Sequence, residues 1–288
     1  MTKPDFIIIG AMKSATSTIH SQLNLQPGIF MSDPKEPCYF SDDEQYAQGE
    51  TWYDSLFEQA KAEDICGESS THYTKLPDYP LTIDRMSKRL KNPKLIYVMR
   101  HPIDRLISHY IHQWSQNVFK CDINQAIDEY EELKAYSCYA MQLEPYIEKF
   151  GRENILPIFN EALRVDSQKQ LEIIADFIGY QKPVKWQEDT GPQNVSHERI
   201  REFPGYNWIV ESDFMTKLRK KLIPQSFRDK IKSQFRMKER PELDSEHIKT
   251  LTTHFDKDLA KLGEWFNVDL NCENFKEIVK TTEFTWKK

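Results

Sequence analysis

The sequence predicts an α/β protein: a central, mainly parallel sheet between two helical layers, followed by a helical C-terminal extension. Three observations predict it. Short, wholly apolar runs such as Phe6 to Ile9 and Leu95 to Met99 suit strands that are buried on both faces. Helical patterns follow these runs, and that alternation is the mark of βαβ crossover units. After Gly179 the strand patterns fade and the chain becomes helical in character.

Asp5 to Ile9 reads as the first strand, bounded by Gly10. A helix is expected over Thr16 to Leu25, closed by Pro27 and Gly28. Asp64 to Cys66 is a short strand and Lys94 to Met99, KLIYVM, a stronger one. The next helix runs from His101 to about Asn117, with Pro102 in the first turn, where its missing N–H costs nothing. Helical patterns at Tyr139 to Phe150 and Ser167 to Ile178 flank a strand at Asn154 to Phe159, whose Pro157 requires an edge or a bulge. The stretch 181–205 is rich in Pro, Gly, Asn and Ser and is expected to be irregular. The helical extension covers about 206–288. No clean linker divides the chain, so 1–288 is read as one domain.

With 39% hydrophobic and 12% aromatic residues, the 288-residue chain belongs among globular proteins rather than disordered ones. Its net charge of −6 gives the protein as a whole no attraction to nucleic acid or to an anionic membrane. Five scattered cysteines without a CxxC pair suit reduced thiols better than a disulfide framework or a zinc site. The first apolar run is too short for a signal-peptide core or a membrane span. A cytoplasmic location is the expectation.

The most informative segment is Gly10-Ala-Met-Lys13-Ser14-Ala15-Thr16-Ser17-Thr18. A buried strand ends at Gly10, small residues turn, and a helix begins near Thr16. Free helix N–H groups and the helix dipole favour an anion at such a place. Lys13 adds a full positive charge, and Thr16, Ser17 and Thr18 add hydroxyl donors. An ordinary capped helix uses the same residue types, so the segment alone decides little. It is not a Walker A loop, which places Gly-Lys directly before the Mg²⁺-binding hydroxyl.

This segment resembles the 5′-phosphosulfate loop of the sulfotransferases that use 3′-phosphoadenosine 5′-phosphosulfate (PAPS), G-x-x-K-x-G-T-[ST]-x-L. The match implies a P-loop-like fold and contacts to PAPS from Lys13 through Thr18. Ala15 stands where the family carries glycine, and the loop is expected to survive if Ala15 keeps a negative φ. A second segment, Leu95-Ile-Tyr-Val-Met-Arg100-His-Pro-Ile-Asp-Arg105-Leu-Ile-Ser108, resembles the family's 3′-phosphate motif. Arg100 and Ser108 are then the binding pair, at the carboxyl end of a parallel strand where open α/β sheets bind ligands. His101 replaces the usual Asn or Asp. A weaker likeness runs from Tyr139 to Gly179.

The resemblance implies sulfuryl transfer from PAPS to a hydroxyl acceptor, leaving adenosine 3′,5′-bisphosphate (PAP). In it, Lys13 neutralises the leaving oxygen, a task that metals perform in kinases, and no metal is expected. Glu36, in Lys35-Glu36-Pro-Cys38-Tyr39-Phe40, resembles the base of heparan-type carbohydrate sulfotransferases. Burial against Tyr39 and Phe40 is expected to raise its pKa toward neutrality. His72 in Thr71-His72 is the rival base, and His20 is expected to be packed. Cys38 stands where many heparan-type relatives have histidine, and Ser69 where they have lysine, which points to a different or less anionic acceptor. Sugars, lipids and small molecules all remain open.

Ten Lys or Arg stand against two acids between Lys217 and Arg240, with Phe227, Ile231 and Phe235 in helical spacing. A helix packed on the core explains this pattern, and a dock for an anionic acceptor or a membrane surface is the alternative. Asn194, Ser196, Arg199 and Arg201 are further candidates for contact with the cofactor. A P-loop kinase or NTPase, and an inactive nucleotide-binding module of the same fold, are the competing functional readings.

Overall fold

The computed structural model describes residues 4–188, 237 and 239–287. Five strands form one parallel sheet: β1 (Phe6–Gly10), β2 (Ile29–Met31), β3 (Ile65–Ser69), β4 (Lys94–Met99) and β5 (Ile155–Phe159). Their spatial order is β2-β3-β1-β4-β5. Ten helices precede residue 188: α1 (Thr16–Asn24), α2 (Asp43–Ala47), α3 (Gly49–Ser55), α4 (Thr82–Arg89), α5 (Pro102–Ser115), α6 (Ile123–Glu129), α7 (Glu132–Ala135), α8 (Tyr139–Phe150), α9 (Asn160–Val165) and α10 (Ser167–Phe177). Two more follow residue 240, α11 (Ser245–Phe266) and α12 (Phe275–Thr281).

Side chains alternate across a strand, so the apolar runs supply both faces of the sheet. Ile7, Ile9, Leu95, Tyr97 and Met99 enter one buried cluster, with Leu106 of α5, Leu143 of α8 and Phe255 of α11. Phe6, Ile8, Ile96, Val98 and Ile158 enter a second, covered by Ile19 and Leu23 of α1 and Leu171 and Ile174 of α10. The predicted three layers follow from this division.

Most predicted elements lie within a residue or two of the observed ones. Pro157 sits in β5, an edge strand, as its missing N–H demands. Two features differ. β2 was not expected, because only three residues follow the Pro27-Gly28 stop. β3 runs to Ser69, past the predicted end at Cys66, since Gly67, Glu68 and Ser69 break the apolar pattern yet are all buried. Gly67 is needed there, for a Cβ would lie 2.1 Å from the Phe6 ring.

The C-terminal helices pack onto this frame. Asp258 of α11 accepts the backbone N–H groups of Ala140 and Met141 at 2.9 and 3.0 Å, capping α8. The Trp286 indole N–H donates to the Ile155 carbonyl at 2.7 Å, covering the β5 edge. Among the described residues no helix is long and apolar enough to cross a membrane. All five cysteines are free thiols. Gly10 pairs with Tyr97 across β1 and β4, so the loops leaving these two strands begin side by side.

Candidate active site

The loop after β1 is shaped by close approach. Gly10 has φ 152°, and a Cβ there would fall 1.9 Å from Thr74 Oγ1, which donates to the Ile9 carbonyl at 2.8 Å. The turn is then pinned by the Ala11 N–H donating to the Val98 carbonyl at 2.8 Å. Lys13 and Ala15 both occupy the left-handed region, with φ 70° and 74°. This overturns the expected negative φ at Ala15: the turn keeps the geometry that suits glycine, and alanine adopts it under strain. Among the described residues no side chain caps α1 and no acid stands in its first turn, so its positive end is suited to an anion. The Ser14 Oγ is buried here without a hydrogen-bond partner among the described residues.

Arg100 leaves the end of β4 next to that loop, and its guanidinium donates to the Lys13 carbonyl at 3.3 Å. The Tyr139 hydroxyl holds the Arg100 backbone: it donates to the carbonyl and accepts the N–H at 3.3 Å. Ser108 lies two turns along α5, buried and lining the same cleft. His101, read from sequence as a minor departure, ties the region together. Its backbone N–H donates to Glu161 Oε1 at 2.9 Å, and its ring Nε2 donates to the Cys272 carbonyl at 3.0 Å.

Glu36 reaches the cleft from the chain that continues β2. Its N–H donates to the Ser69 carbonyl at 2.9 Å, and the Cys38 N–H donates to Ser70 Oγ at 3.0 Å. Burial pushes the Glu36 carboxyl up, but Lys35 at 2.6 Å and the Thr71 donors outweigh it and hold the pKa below the usual value. The expected rise toward neutrality is therefore overturned. A neighbouring carboxyl that burial does raise is Glu68, pushed up to about 8, with the Tyr53 and Tyr73 hydroxyls only partly offsetting the burial. Tyr39 and Phe40 pack against those tyrosines rather than shielding Glu36 from water.

His72 follows Thr71 in a 3₁₀ turn and stacks on Tyr79 at 4.8 Å. Burial lowers its pKa to about 4, so the ring is neutral at physiological pH. His20 is buried as expected, its Nδ1 2.9 Å from Ser69 Oγ.

Lys13, Thr16, Ser17, Thr18, Arg100 and Ser108 line one cleft of about 1230 Å³ together with Glu36 and His72. Ala15 lines it too, while Ser14 is buried beneath. Sequence reasoning missed several of its walls. Lys75 sits 5.7 Å over the Tyr136 ring, and burial pushes its pKa down to about 8. His109 stacks on Tyr136 at 5.5 Å. Behind them the buried Arg105 donates to Ser137 Oγ at 2.5 Å and to the Leu133 carbonyl at 2.8 Å, fixing the stretch that carries Tyr136. Trp186 joins the cleft because Gln22 of α1 and Gln26, just past its end, exchange amide hydrogen bonds with the backbone of Gln187 and Lys185. No contiguous motif marks this contact, which joins residues 159 to 165 apart in sequence.

Asn194, Ser196, Arg199 and Arg201 lie outside the described residues, as does the basic segment 217–240 apart from Met237, Glu239 and Arg240. Arg240 lines the cleft and stands 3.6 Å from Asp104.

Residues 3–263 match the sulfotransferase domain family model. The chain is 29% identical over 188 residues to the heparan sulfate glucosamine 3-O-sulfotransferase 3B1 of Mus musculus, an alignment covering 62% of this chain and 47% of that one. The chain thus spans about half the length of that curated relative or less of others. The crystal structure of a sulfotransferase from Alicyclobacillus acidocaldarius superposes with a TM-score of 0.68 at 22% identity, covering 94% of this chain and 98% of that one. The mouse sulfotransferase SULT7A1, solved with PAP, gives a TM-score of 0.50 at 15% identity, with 90% and 86% covered. Both share the fold.

Proposed function

The chain belongs to the sulfotransferase domain family, and from that premise we propose that it transfers a sulfuryl group from PAPS to an acceptor hydroxyl. The observation that carries the reading is the contact of Arg100 with the Lys13 carbonyl, which makes two cationic cradles into one cleft. A nucleotide with phosphates at both ends needs such a site: the α1 N-terminus and Lys13 for the 5′ end, Arg100 and Ser108 for the 3′-phosphate. The unpartnered Ser14 hydroxyl and the uncapped α1 suit an anionic ligand. Trp186 offers a flat face for the purine.

In the transfer, the acceptor oxygen forms a bond to sulfur as the bond from sulfur to the 5′-phosphate oxygen breaks. The hydroxyl proton passes to Glu36, and Lys13 balances the charge gathering on the leaving oxygen. Glu36 serves as base because it is ionised across neutral pH, lines the cleft and is oriented by Thr71. His72 is the second reading, since its neutral ring lines the same cleft.

Calorimetric titration with PAP tests the cofactor site, and saturable binding at one site per chain is expected. Absence of PAP binding would remove the proposal. Transfer of labelled sulfate from PAPS to an acceptor panel then tests turnover.

A further inference from the structure

The cleft is larger than the 300–1,000 Å³ typical of a single ligand pocket, so it has room for a second molecule beside the nucleotide. Its two ends differ in charge. The cations Lys13 and Arg100 follow β1 and β4 directly, Arg164 lies in α9 after β5, and Arg240 stands by Asp104 of α5; the cofactor is placed above on the first two. Among the described residues the other end, built from the stretches around Glu36, Thr71–Tyr79 and Glu132–Tyr136, carries three carboxylates, Glu36, Asp78 and Glu132, against two cations, Lys75 and the Lys35 that pairs with Glu36. Burial keeps His72 and His109 neutral, so neither adds positive charge.

The same end presents two aromatic pairs. His72 stacks on Tyr79, and His109 on Tyr136, whose hydroxyl donates to Asp78. The Nδ1 atoms of His72 and His109 are buried with no hydrogen-bond partner among the described residues, and His109 is 1% exposed. Gln113 of α5 and Gln116, which follows it, add neutral amides to the wall.

We propose that the acceptor is an uncharged, hydroxyl-rich ring compound of the glycoside class, and not a polyanion. Carboxylates, amides and neutral imidazoles accept and donate hydrogen bonds to hydroxyls. The half-buried Tyr79 ring, stacked on His72, has a negative face that suits the slightly positive C–H face of a saturated ring. A sulfated or carboxylated chain would meet more carboxylates than cations among the described residues, an arrangement that disfavours it. The inference rests on the sulfotransferase reading above, because it needs the nucleotide at the cationic end.

The test uses the full chain with labelled PAPS and two acceptor sets, neutral alkyl and aryl hexosides and a heparan sulfate hexasaccharide. The best hexoside should exceed the hexasaccharide in kcat/KM by at least about tenfold, with a KM that changes little as salt is raised. Glu132→Lys should move the ratio toward the hexasaccharide. A hexasaccharide used as well as or better than every hexoside, with a KM climbing steeply in salt, overturns the inference, and so does a panel in which no hexoside is sulfated. PAP titration alongside separates the failures. Bound PAP with the wrong acceptor preference rejects only the acceptor class, whereas no PAP binding rejects the reading beneath it.

Discussion

Thr71 donates both its hydroxyl and its backbone N–H to Glu36 Oε2, at 2.8 and 3.3 Å. The two donors come from the turn that also carries His72, so one short segment orients one candidate base and supplies the other. Glu36→Gln removes the proton acceptor while keeping the shape. It should lower kcat by roughly 10²- to 10⁴-fold, the usual worth of a general base, with PAP affinity unchanged. His72→Ala is the control. If that variant shows the larger loss in kcat and Glu36→Gln stays near wild type, the base is His72.

Arg100 sits beside the Lys13 backbone at the β4 and α5 junction, and burial lowers its pKa from the usual value. Arg100→Ala should weaken PAP binding by about 1.5–3 kcal/mol, ten- to a hundredfold, as expected for a charged hydrogen bond to phosphate. Calorimetry reads this directly. Removal of the 3′-phosphate from the ligand should cost wild type about as much and the variant little; equal losses in both proteins would detach Arg100 from that phosphate.

The central strands were legible because Ile7 to Ile9 and Leu95 to Met99 are apolar without interruption, a pattern that only double-sided burial explains. The two phosphate segments were legible because their residues are contiguous. The acceptor end was not. Lys75, His109 and Tyr136 lie far apart in sequence and meet only through tertiary packing, with the buried Arg105 fixing the Leu133 to Ser137 stretch from behind. The pKa of Glu36 was misread for the same kind of reason. The adjacent aromatics suggested burial, but Lys35 and Thr71 decide the charge, and Thr71 is brought in by β3.

Ala15 holds φ 74° at the entrance to α1, where the family pattern has glycine. The left-handed conformation costs alanine about 1–2 kcal/mol, and glycine gives back roughly 0.5–1 kcal/mol of that through its greater unfolded-state entropy. Ala15→Gly should therefore stabilise the protein by about 0.5–1 kcal/mol, visible as a Tm rise of about 1–4 °C. Ala15→Val should act in the opposite direction, since a β-branched residue tolerates positive φ worse. A fall in Tm for Ala15→Gly would mean that the loop is not strained at this position.

Glu68 contributes a pH dependence of its own. It is fully buried at the end of β3, and its carboxyl is pushed up to about 8 by burial. Between its unfolded value near 4.5 and its folded value near 8, the folded protein keeps a proton that the unfolded chain has released. Stability from this group is complete below pH 4.5 and is lost as pH rises through that window, by roughly 3 kcal/mol at pH 7. Glu68→Gln keeps the neutral shape and removes the titration. Urea unfolding at pH 5 and pH 8 should show the variant gaining on wild type as pH rises, with the two close together at pH 5. Parallel pH profiles for the two proteins would mean that Glu68 is ionised in the fold, held by Tyr53 and Tyr73 more strongly than its burial allows.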